Sequence, residues 1–417
     1  MLSAISRYGA RVLPETEDIV AGCKARGELI QGPQIAAFEA AFARRAGMEP
    51  AHAVAASYGR MAFYYILKAL DLPEGSEIIV PALTFWVVPA LASVAGLKVV
   101  FADIDPATFT LDPAALVRAI TPATRAIVPT HLYGLPCEMD GVLDIAARHH
   151  LAVIEDCAHA LGATHGGCPV GTLGDAGFFS FQTLKPLNCY GGGLALVRDP
   201  RVAARVRALA ERERWPDEKR VTNRLLVGRL QRIFIKPWVF TISAFPILWV
   251  SSLIGANPDV YLWEDIRSLD PLPDAYVERF PNVQAAIGLA ALEALDGWTE
   301  QTRRHAGVMD QALGDLPGIT IPQVPARRTH VYYQYCVYGP QRDELVVRCV
   351  RRGIDIETLH VDVCSDLELF AGARVEPSGA PGARRAAGAM QIPVYATLTD
   401  SQAERVARVV RSVLAES

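Results

Sequence analysis

The sequence predicts an α/β fold in which helices cover both faces of a mostly parallel sheet. Short apolar runs of strand length alternate with segments of helical spacing between residues 53 and 197. Two of these runs end in polar side chains, Asp156 and Lys185, and ligands bind at the carboxyl ends of strands in such sheets. The chain has 417 residues, which is enough for two domains.

The elements of the large sheet follow one another in order. The strand-like runs lie at 78–80, 98–101, 126–128, 152–154, 177–181 and 194–197. Helical spacing of Ala, Leu, Val and Ile is found at 85–95, 113–120 and 139–149. This alternation predicts parallel strands joined by crossover helices.

The pattern changes beyond residue 260. An amphipathic helix is predicted at 284–295, continuing through Arg303 and Arg304, then a strand at 331–338 and helices at 343–352 and 401–414. We therefore predict a large domain over 1–232, an apolar insertion over 233–258 and a smaller α+β domain over 259–417.

Composition excludes several classes of protein. A net charge of -4 gives no reason to expect nucleic-acid binding. The eight cysteines form no C-x-x-C pair and show no zinc spacing, which predicts reduced thiols, no metal site and a cytoplasmic location. Residues 1–18 carry charges and no apolar core, so they are not a signal peptide.

Lys185, followed by the cluster Gly191–Gly193, and Asp156 are the main candidate catalytic residues. A lysine amine forms a Schiff base with an aldehyde, and pyridoxal phosphate needs a carboxylate against its pyridinium nitrogen. The pair therefore predicts pyridoxal 5'-phosphate as the cofactor. His159 follows Asp156 by three residues and is placed near the cofactor ring.

A phosphate site is predicted at the start of a helix, where backbone N–H groups are available. The segment 57–62, with Gly59 and Arg60, precedes such a helix, and Ser180 adds a hydroxyl from the strand leading to Lys185. Phe85 and Trp86 both follow a strand, and one of them is expected to stack on the ring while the other packs in the core.

With these residues in order, the chain resembles the DegT/DnrJ/EryC1/StrS family of sugar aminotransferases, which are fold-type I pyridoxal phosphate enzymes. The matching segments lie at 32–39, 57–62, 81–86, 100–105, 131–134, 155–159, 179–185, 284–289 and 392–395. The resemblance implies a seven-stranded-type sheet and a homodimer with shared active sites. It also implies catalytic roles for Lys185, Asp156 and His159, with Ser180, Gly59 and Arg60 at the phosphate.

The resemblance implies transfer of an amino group, usually from glutamate, to a keto-sugar or similar ketone carried on a nucleotide or a lipid. The chain departs from the family at 277–279, where only Arg279 is retained and the usual Asn is missing. We hypothesise that Arg60 compensates for that lost phosphate contact. Weak candidates for substrate binding are Arg279, His330 and His360, with Arg327 and Arg328 beside them.

The insertion is the other unusual segment. No residue from Pro237 through Pro258 is charged, a run of 22 residues that is within the length of a spanning helix. A single span would separate the two halves of one catalytic fold, which disfavours it. A helical pair broken at Pro246, buried or at a dimer interface, and an interfacial membrane-binding segment on the inner face remain alternatives.

Two other functions remain open at this stage. One is another pyridoxal phosphate reaction on the same scaffold with a membrane-associated substrate. The other is a non-catalytic member that regulates or anchors a membrane pathway, which the intact set of Lys185, Asp156 and Ser180 disfavours.

Overall fold

The computed structural model describes residues 3–9, 11–253, 266–358 and 361–415. His360, one of the weak substrate candidates, lies outside the described residues, as does the end of the apolar insertion. The cysteines are free, and seven of the eight are buried.

Among the described residues, seven strands fall on predicted apolar runs, and eleven further strands of two to four residues were not predicted. The strands are β1 Ala53–Ala56, β2 Glu77–Pro81, β3 Leu83–Thr84, β4 Lys98–Ala102, β5 Ile104–Asp105, β6 Thr110–Leu111, β7 Thr124–Ile127, β8 Ala152–Asp156, β9 Thr164–His165, β10 Cys168–Pro169, β11 Ala176–Ser180, β12 Gly193–Val197, β13 Arg328–Thr329, β14 Tyr335–Val337, β15 Glu357–Thr358, β16 Asp362–Val363, β17 Arg374–Val375 and β18 Met390–Ile392.

The helices also follow the predicted periodicity. They are α1 Thr16–Ala25, α2 Gln34–Arg45, α3 Gly59–Leu70, α4 Val87–Val94, α5 Pro113–Ala119, α6 Met139–His149, α7 Pro200–Arg212, α8 Glu218–Phe234, α9 Pro237–Ile242, α10 Phe245–Leu253, α11 Asn282–Leu313, α12 Arg342–Arg351, α13 Pro381–Ala386 and α14 Asp400–Ala415.

One large sheet organises the molecule, with the strand order β1-β12-β11-β8-β7-β2-β4-β17. The strands from β11 to β17 pair in parallel, and β12 pairs antiparallel with both β11 and β1. Six of these strands are the predicted apolar runs, while β1 at one edge and the two-residue β17 at the other were not predicted. The predicted α/β class is confirmed.

The carboxyl ends of β8 and β11 are neighbours at the same edge of the sheet. Phe178 pairs with Asp156 across these parallel strands, and Ser180 ends β11. Because both strands run in the same direction, Asp156 and the segment leading to Lys185 emerge on the same side. The parallel pairing of β8 and β11 therefore places the candidate catalytic groups together.

The C-terminal part has its own core. Strands β14, β18 and β15 form an antiparallel sheet whose apolar side chains pack with α12 and α14. The long helix α11 packs against α2 and also against α14. Helices α9 and α10 break at Ser243 and Ala244, and Pro246 lies in the first turn of α10, where its missing N–H costs no hydrogen bond.

The predicted strand over 331–338 is shorter than expected. Only Tyr335–Val337 forms β14, because Tyr332 adopts a positive φ of 47° that no strand accommodates. The residues before β14 instead cross the carboxyl edge of the large sheet, where Val331 donates its N–H to Gly134 O at 3.0 Å.

Candidate active site

A cavity of about 430 Å³ opens at the carboxyl edge of the large sheet. Its walls bring together nearly all the side chains that the sequence singles out for cofactor binding. They are Gly59, Arg60, Phe85, Asp156, His159, Ser180 and Lys185, with Tyr58, Thr130, Gln182 and Tyr276 beside them. The predicted constellation is thus one continuous surface.

Lys185 follows β11 in a turn where its N–H donates to Gln182 O at 2.9 Å. Its Nζ lies 4.8 Å from the centre of the Tyr333 ring. The pKa of Lys185 is lowered to about 8, because burial and the nearby Arg60 charge together outweigh the opposing Asp156 carboxylate. A substantial fraction of the amine is therefore neutral, and nucleophilic, at mildly alkaline pH.

Asp156 ends β8 in the floor of the same cavity. Burial raises its pKa to about 6, although the Ala158 N–H, which donates to Oδ1 at 3.0 Å, and the nearby Lys185 charge lower it. The carboxylate is ionised above that value, as a partner for a protonated ring nitrogen must be.

A buried hydrogen-bond network behind the cavity fixes the end of β8. Glu155 accepts the N–H groups of Gly171, Leu173 and Gly174, each at 2.8 Å. The His131 Nδ1 accepts the Cys137 N–H, so its Nε2 carries the proton and donates to Glu155 at 2.9 Å. Neighbouring acids therefore have separate roles, since Glu155 is satisfied in the interior while Asp156 lines the cavity.

His159 is held between aromatic rings. Its ring stacks on Tyr333 with a centroid distance of 4.1 Å and lies near parallel to Tyr133 at 6.3 Å. The Tyr133 N–H donates to His159 Nδ1 at 3.4 Å. The imidazole therefore presents a fixed flat face at the cavity wall.

The first turn of α3 is the predicted phosphate site. The helix begins at Gly59. Among the described residues, the preceding Tyr58 side chain makes no capping hydrogen bond to it. A Cβ on Gly59 would lie 2.7 Å from Phe179 O, and one on Gly193 would lie 2.1 Å from Gly59 N. Both positions therefore need glycine, and the glycine cluster after Lys185 lets the helix start approach Ser180 closely.

Arg60 is surrounded by aromatic rings at the mouth of this site. Its Cζ lies 5.0 Å from the centre of the Tyr276 ring, 5.4 Å from Phe85 and 5.6 Å from Tyr58. It also donates a hydrogen bond to the Tyr276 hydroxyl. The guanidinium is thus held in place as a fixed positive charge.

The structure distinguishes the two aromatic candidates. Phe85 lines the cavity, whereas Trp86 is 1% exposed and packs in the main core cluster. The side chain available to a bound ring is therefore Phe85.

These residues fit pyridoxal phosphate. The cavity joins a half-buried amine, a buried carboxylate, an aromatic face and an uncapped helix start flanked by a serine and an arginine. The glycines at 59 and 193 keep that helix start clear of side-chain bulk. Each group of the cofactor would have a chemically matched partner.

The weaker substrate candidates lie elsewhere. Arg279 stacks on the Trp215 ring at 4.0 Å and borders a separate small cleft. His330 stacks on Tyr332 at 4.1 Å and accepts the Tyr332 N–H, and burial lowers its pKa to about 3. Neither side chain lines the cavity of Lys185 in the single chain described.

The two loop arginines are also outside the cavity. Arg327 forms an exposed ion pair with Asp140 at 2.8 Å, and Arg328 belongs to β13 and borders a surface cleft.

Sequence reasoning missed several aromatic residues of the site. Tyr333 faces Lys185 and His159, and Tyr276 holds Arg60. Ser57 Oγ donates to Tyr276 O at 2.5 Å, which joins the phosphate segment to the chain 219 residues later. Tyr276 lies next to the departure from the family pattern at 277–279, and this position is the one feature of the sequence that could have pointed to it.

Comparison with known proteins identifies the family of this chain. The model of the DegT/DnrJ/EryC1/StrS aminotransferase family matches residues 14–233 and 262–411. The chain is 32% identical to GDP-perosamine synthase of Caulobacter vibrioides, covering 92% of this chain and 91% of that protein. It is 30% identical to the dTDP-3-amino-3,4,6-trideoxy-alpha-D-glucose transaminase of Streptomyces venezuelae, covering 95% and 91%.

The fold has a close counterpart among solved structures. AtS13 from Actinomadura melliaura superposes with a TM-score of 0.77 at 30% identity, covering 98% of this chain and 99% of the other. The family match spans most of the chain and includes every residue of the cavity described above. The chain therefore belongs to the DegT/DnrJ/EryC1/StrS aminotransferase family and is a pyridoxal phosphate-dependent aminotransferase.

Proposed function

We propose that this enzyme transfers an amino group from glutamate to the ketone carbon of a keto-sugar. The observation that carries the proposal is the single cavity that joins Lys185, Asp156 and the helix start at Gly59. The relatives support the acceptor class, since the Streptomyces enzyme is named for an amino sugar carried on dTDP. The carrier of the acceptor here is a nucleotide or a lipid.

Lys185 acts as the nucleophile and the proton carrier. When bound, pyridoxal phosphate supplies the aldehyde that captures the amine and a protonated ring that withdraws electrons from the substrate carbon. With a pKa of about 8, the Lys185 amine could take up a proton near neutral pH and give it back during the reaction.

The remaining residues orient the reacting groups. Asp156 keeps a proton on the ring nitrogen, because its carboxylate is ionised above pH 6. Gly59 N–H, Ser180 Oγ and Arg60 would hold the phosphate of the bound cofactor, while Phe85 and His159 would contact its ring. Burial raises the pKa of Tyr333, so its phenol stays protonated beside Lys185.

The direct test of the function is a pair of half-reactions. Glutamate should convert the purified holoenzyme to its amino form, with loss of the absorbance of the lysine-linked cofactor. A panel of nucleotide-linked 3-keto and 4-keto sugars, scyllo-inosose and a lipid-linked keto-sugar should then identify the acceptor that restores it. An enzyme whose absorbance is unchanged by glutamate, glutamine and aspartate would refute the proposed chemistry.

We also propose a homodimer with shared active sites in the cytoplasm, based on the resemblance to the family. Light scattering on the purified holoenzyme should give twice the mass of the chain. A monomer with full activity would contradict shared sites.

A further inference from the structure

Helices α9 and α10 have one face on the protein and one face in solvent. Val239, Phe240 and Ser252 are buried. The outward residues, which we call the apolar surface, are between 41 and 71% exposed: Trp238, Ile242, Ile247, Trp249, Val250 and Leu253. Monomeric proteins rarely leave so many large apolar side chains together in water.

Specific contacts fix this surface to the rest of the molecule. The Ala4 N–H donates to Thr241 Oγ1 at 2.7 Å, and Arg351 Nη2 donates to Ser252 O at 3.1 Å. Helix α10 also packs along α12. These contacts hold α9 and α10 in place, so the apolar surface has a fixed position on the molecule.

Basic residues border the apolar surface. No acidic residue occurs from 219 to 258. Arg220 and Arg229 of α8 are paired with Glu278 and Glu17, which leaves exposed Lys236 at the start of α9 and exposed Arg351 at the end of α12 as flanking cations. An apolar patch with cationic borders complements a bilayer that carries anionic head groups.

The family model leaves this segment unmatched. The family match stops at residue 233 and resumes at 262, on either side of these helices. Among the described residues, no helix has both the length and the hydropathy to cross a bilayer. Two short helices with exposed Trp238 and Trp249 have instead the composition of a segment that lies in the lipid interface.

We infer that the apolar surface docks this enzyme onto an anionic membrane. Trp238, Ile242 and Ile247 insert at the level of the head groups, and Lys236 and Arg351 contact lipid phosphates. A second copy of the chain is the rival occupant, but two copies of this surface would bring like charges together.

Docking has a consequence that rests on the proposed function. Helix α8 leads from the cavity to the apolar surface, since Arg224 donates to the Tyr58 hydroxyl at 2.6 Å and Tyr58 lines the cavity. Ten residues of helix separate Arg224 from Phe234, a distance of about 15 Å. One helix thus connects the cavity with the apolar surface, and docking would bring the cavity toward a keto-sugar carried on a lipid.

The test is co-sedimentation of the holoenzyme with phosphatidylcholine vesicles, alone or with phosphatidylglycerol. The wild type should bind only the anionic vesicles, and high salt should weaken binding. The triple variant Trp238→Ser/Ile242→Ser/Ile247→Ser should bind at least about tenfold less. Lys236→Glu should also weaken binding to the anionic vesicles, because it replaces a cation with an anion.

A matched control replaces exposed apolar residues elsewhere, in Val117→Ser/Val324→Ser/Leu369→Ser, and should bind as the wild type does. Both triple variants should keep the glutamate half-reaction, which shows that the fold is intact independently of the acceptor. A wild type that stays in solution with every vesicle would overturn the inference. So would a lower oligomer mass for the first triple variant by light scattering, which would assign the surface to a second copy.

Discussion

Lys185 and Asp156 illustrate how burial and charge act against each other in one cavity. Burial lowers the pKa of the amine to about 8 and raises that of the carboxyl to about 6, while each charge favours the ionised form of the other. Between about pH 6 and pH 8 both side chains are ionised. Above this range the amine becomes a nucleophile while the carboxylate keeps its charge.

The pKa of Lys185 predicts a pH dependence for cofactor capture. Only the neutral amine attacks an aldehyde, so the rate of covalent uptake by the cofactor-free protein should rise with pH and level off above about 8. Stopped-flow absorbance measures that rate. A midpoint near 10.5, the ordinary value for lysine, would show that the amine is not desolvated.

Asp156 and Glu155 are adjacent, yet their substitutions should act differently. Asp156→Asn keeps an acceptor for the Ala158 N–H, so stability should change by less than about 1 kcal/mol, while amino transfer falls at least about 100-fold. Glu155→Gln keeps one oxygen for the Leu173 and Gly174 N–H groups but turns an NH2 donor toward Gly171 N–H and His131 Nε2, and should cost roughly 1–3 kcal/mol.

Urea unfolding and the glutamate half-reaction separate these effects. Equal losses of stability in both variants would contradict the assignment of Asp156 to the cavity and Glu155 to the interior.

At this scale the sequence was most informative where chemistry requires one residue type. A lysine and an aspartate at the ends of strands have few equivalents, so Lys185 and Asp156 could be predicted. Tyr333 and Tyr276 could not, because an aromatic residue is compatible with any core and their positions depend on segments far along the chain. Arg279 and His330 carried the same ambiguity and lie outside the cavity.

Among the elements, the start of α3 is the most sensitive to substitution. In Gly59→Ala the new Cβ would meet Phe179 O at 2.7 Å and Ser180 Cβ at 2.9 Å, so the helix must move away from β11. Cofactor affinity should fall at least tenfold, since about 1.4 kcal/mol of lost phosphate binding is sufficient. Equilibrium dialysis with the cofactor measures it.

Gly297→Ala is the matched control on α11. Among the described atoms, nothing lies within 4 Å of a Cβ at that position. Alanine should therefore stabilise the helix by about 0.5–1 kcal/mol and leave cofactor affinity unchanged. An equal loss of affinity in both variants would refute the role of the α3 start.

Periodicity predicted the regular elements because burial imposes it. The runs at 78–80 and 152–154 became β2 and β8 with extensions of one or two residues. The strand predicted at 331–338 was mostly wrong, since its many aromatic residues reflect packing across the active site and not pairing in a sheet. Periodicity does not distinguish these two causes.

For the whole molecule, the C-terminal part is tied to the large sheet by long-range contacts. Asp103 accepts the N–H groups of Gly382 and Ala383 at 2.7 and 2.9 Å, across about 280 residues. Arg118 forms two hydrogen bonds with Glu376, next to the pairing of β17 with β4. The predicted domain boundaries stay predictions, and these contacts lie across the one at 259.

Removing the Asp103 cap should therefore destabilise the molecule. Asp103→Ala removes the acceptor of two N–H groups of α13. It should lower the free energy of unfolding by about 1–2 kcal/mol. The exposed Asp343→Ala should change it by less than about 0.5 kcal/mol. Fluorescence-monitored urea unfolding compares them, and equal values would show that the cap contributes nothing.

The central claim is that Lys185 is the residue that bonds the cofactor. Borohydride reduction of the holoenzyme makes that bond permanent, and mass spectrometry of the peptides then locates it. The structure predicts a phosphopyridoxyl group on the peptide containing Lys185 and none in Lys185→Ala. A modification on another lysine, or equal labelling of both proteins, would contradict the account.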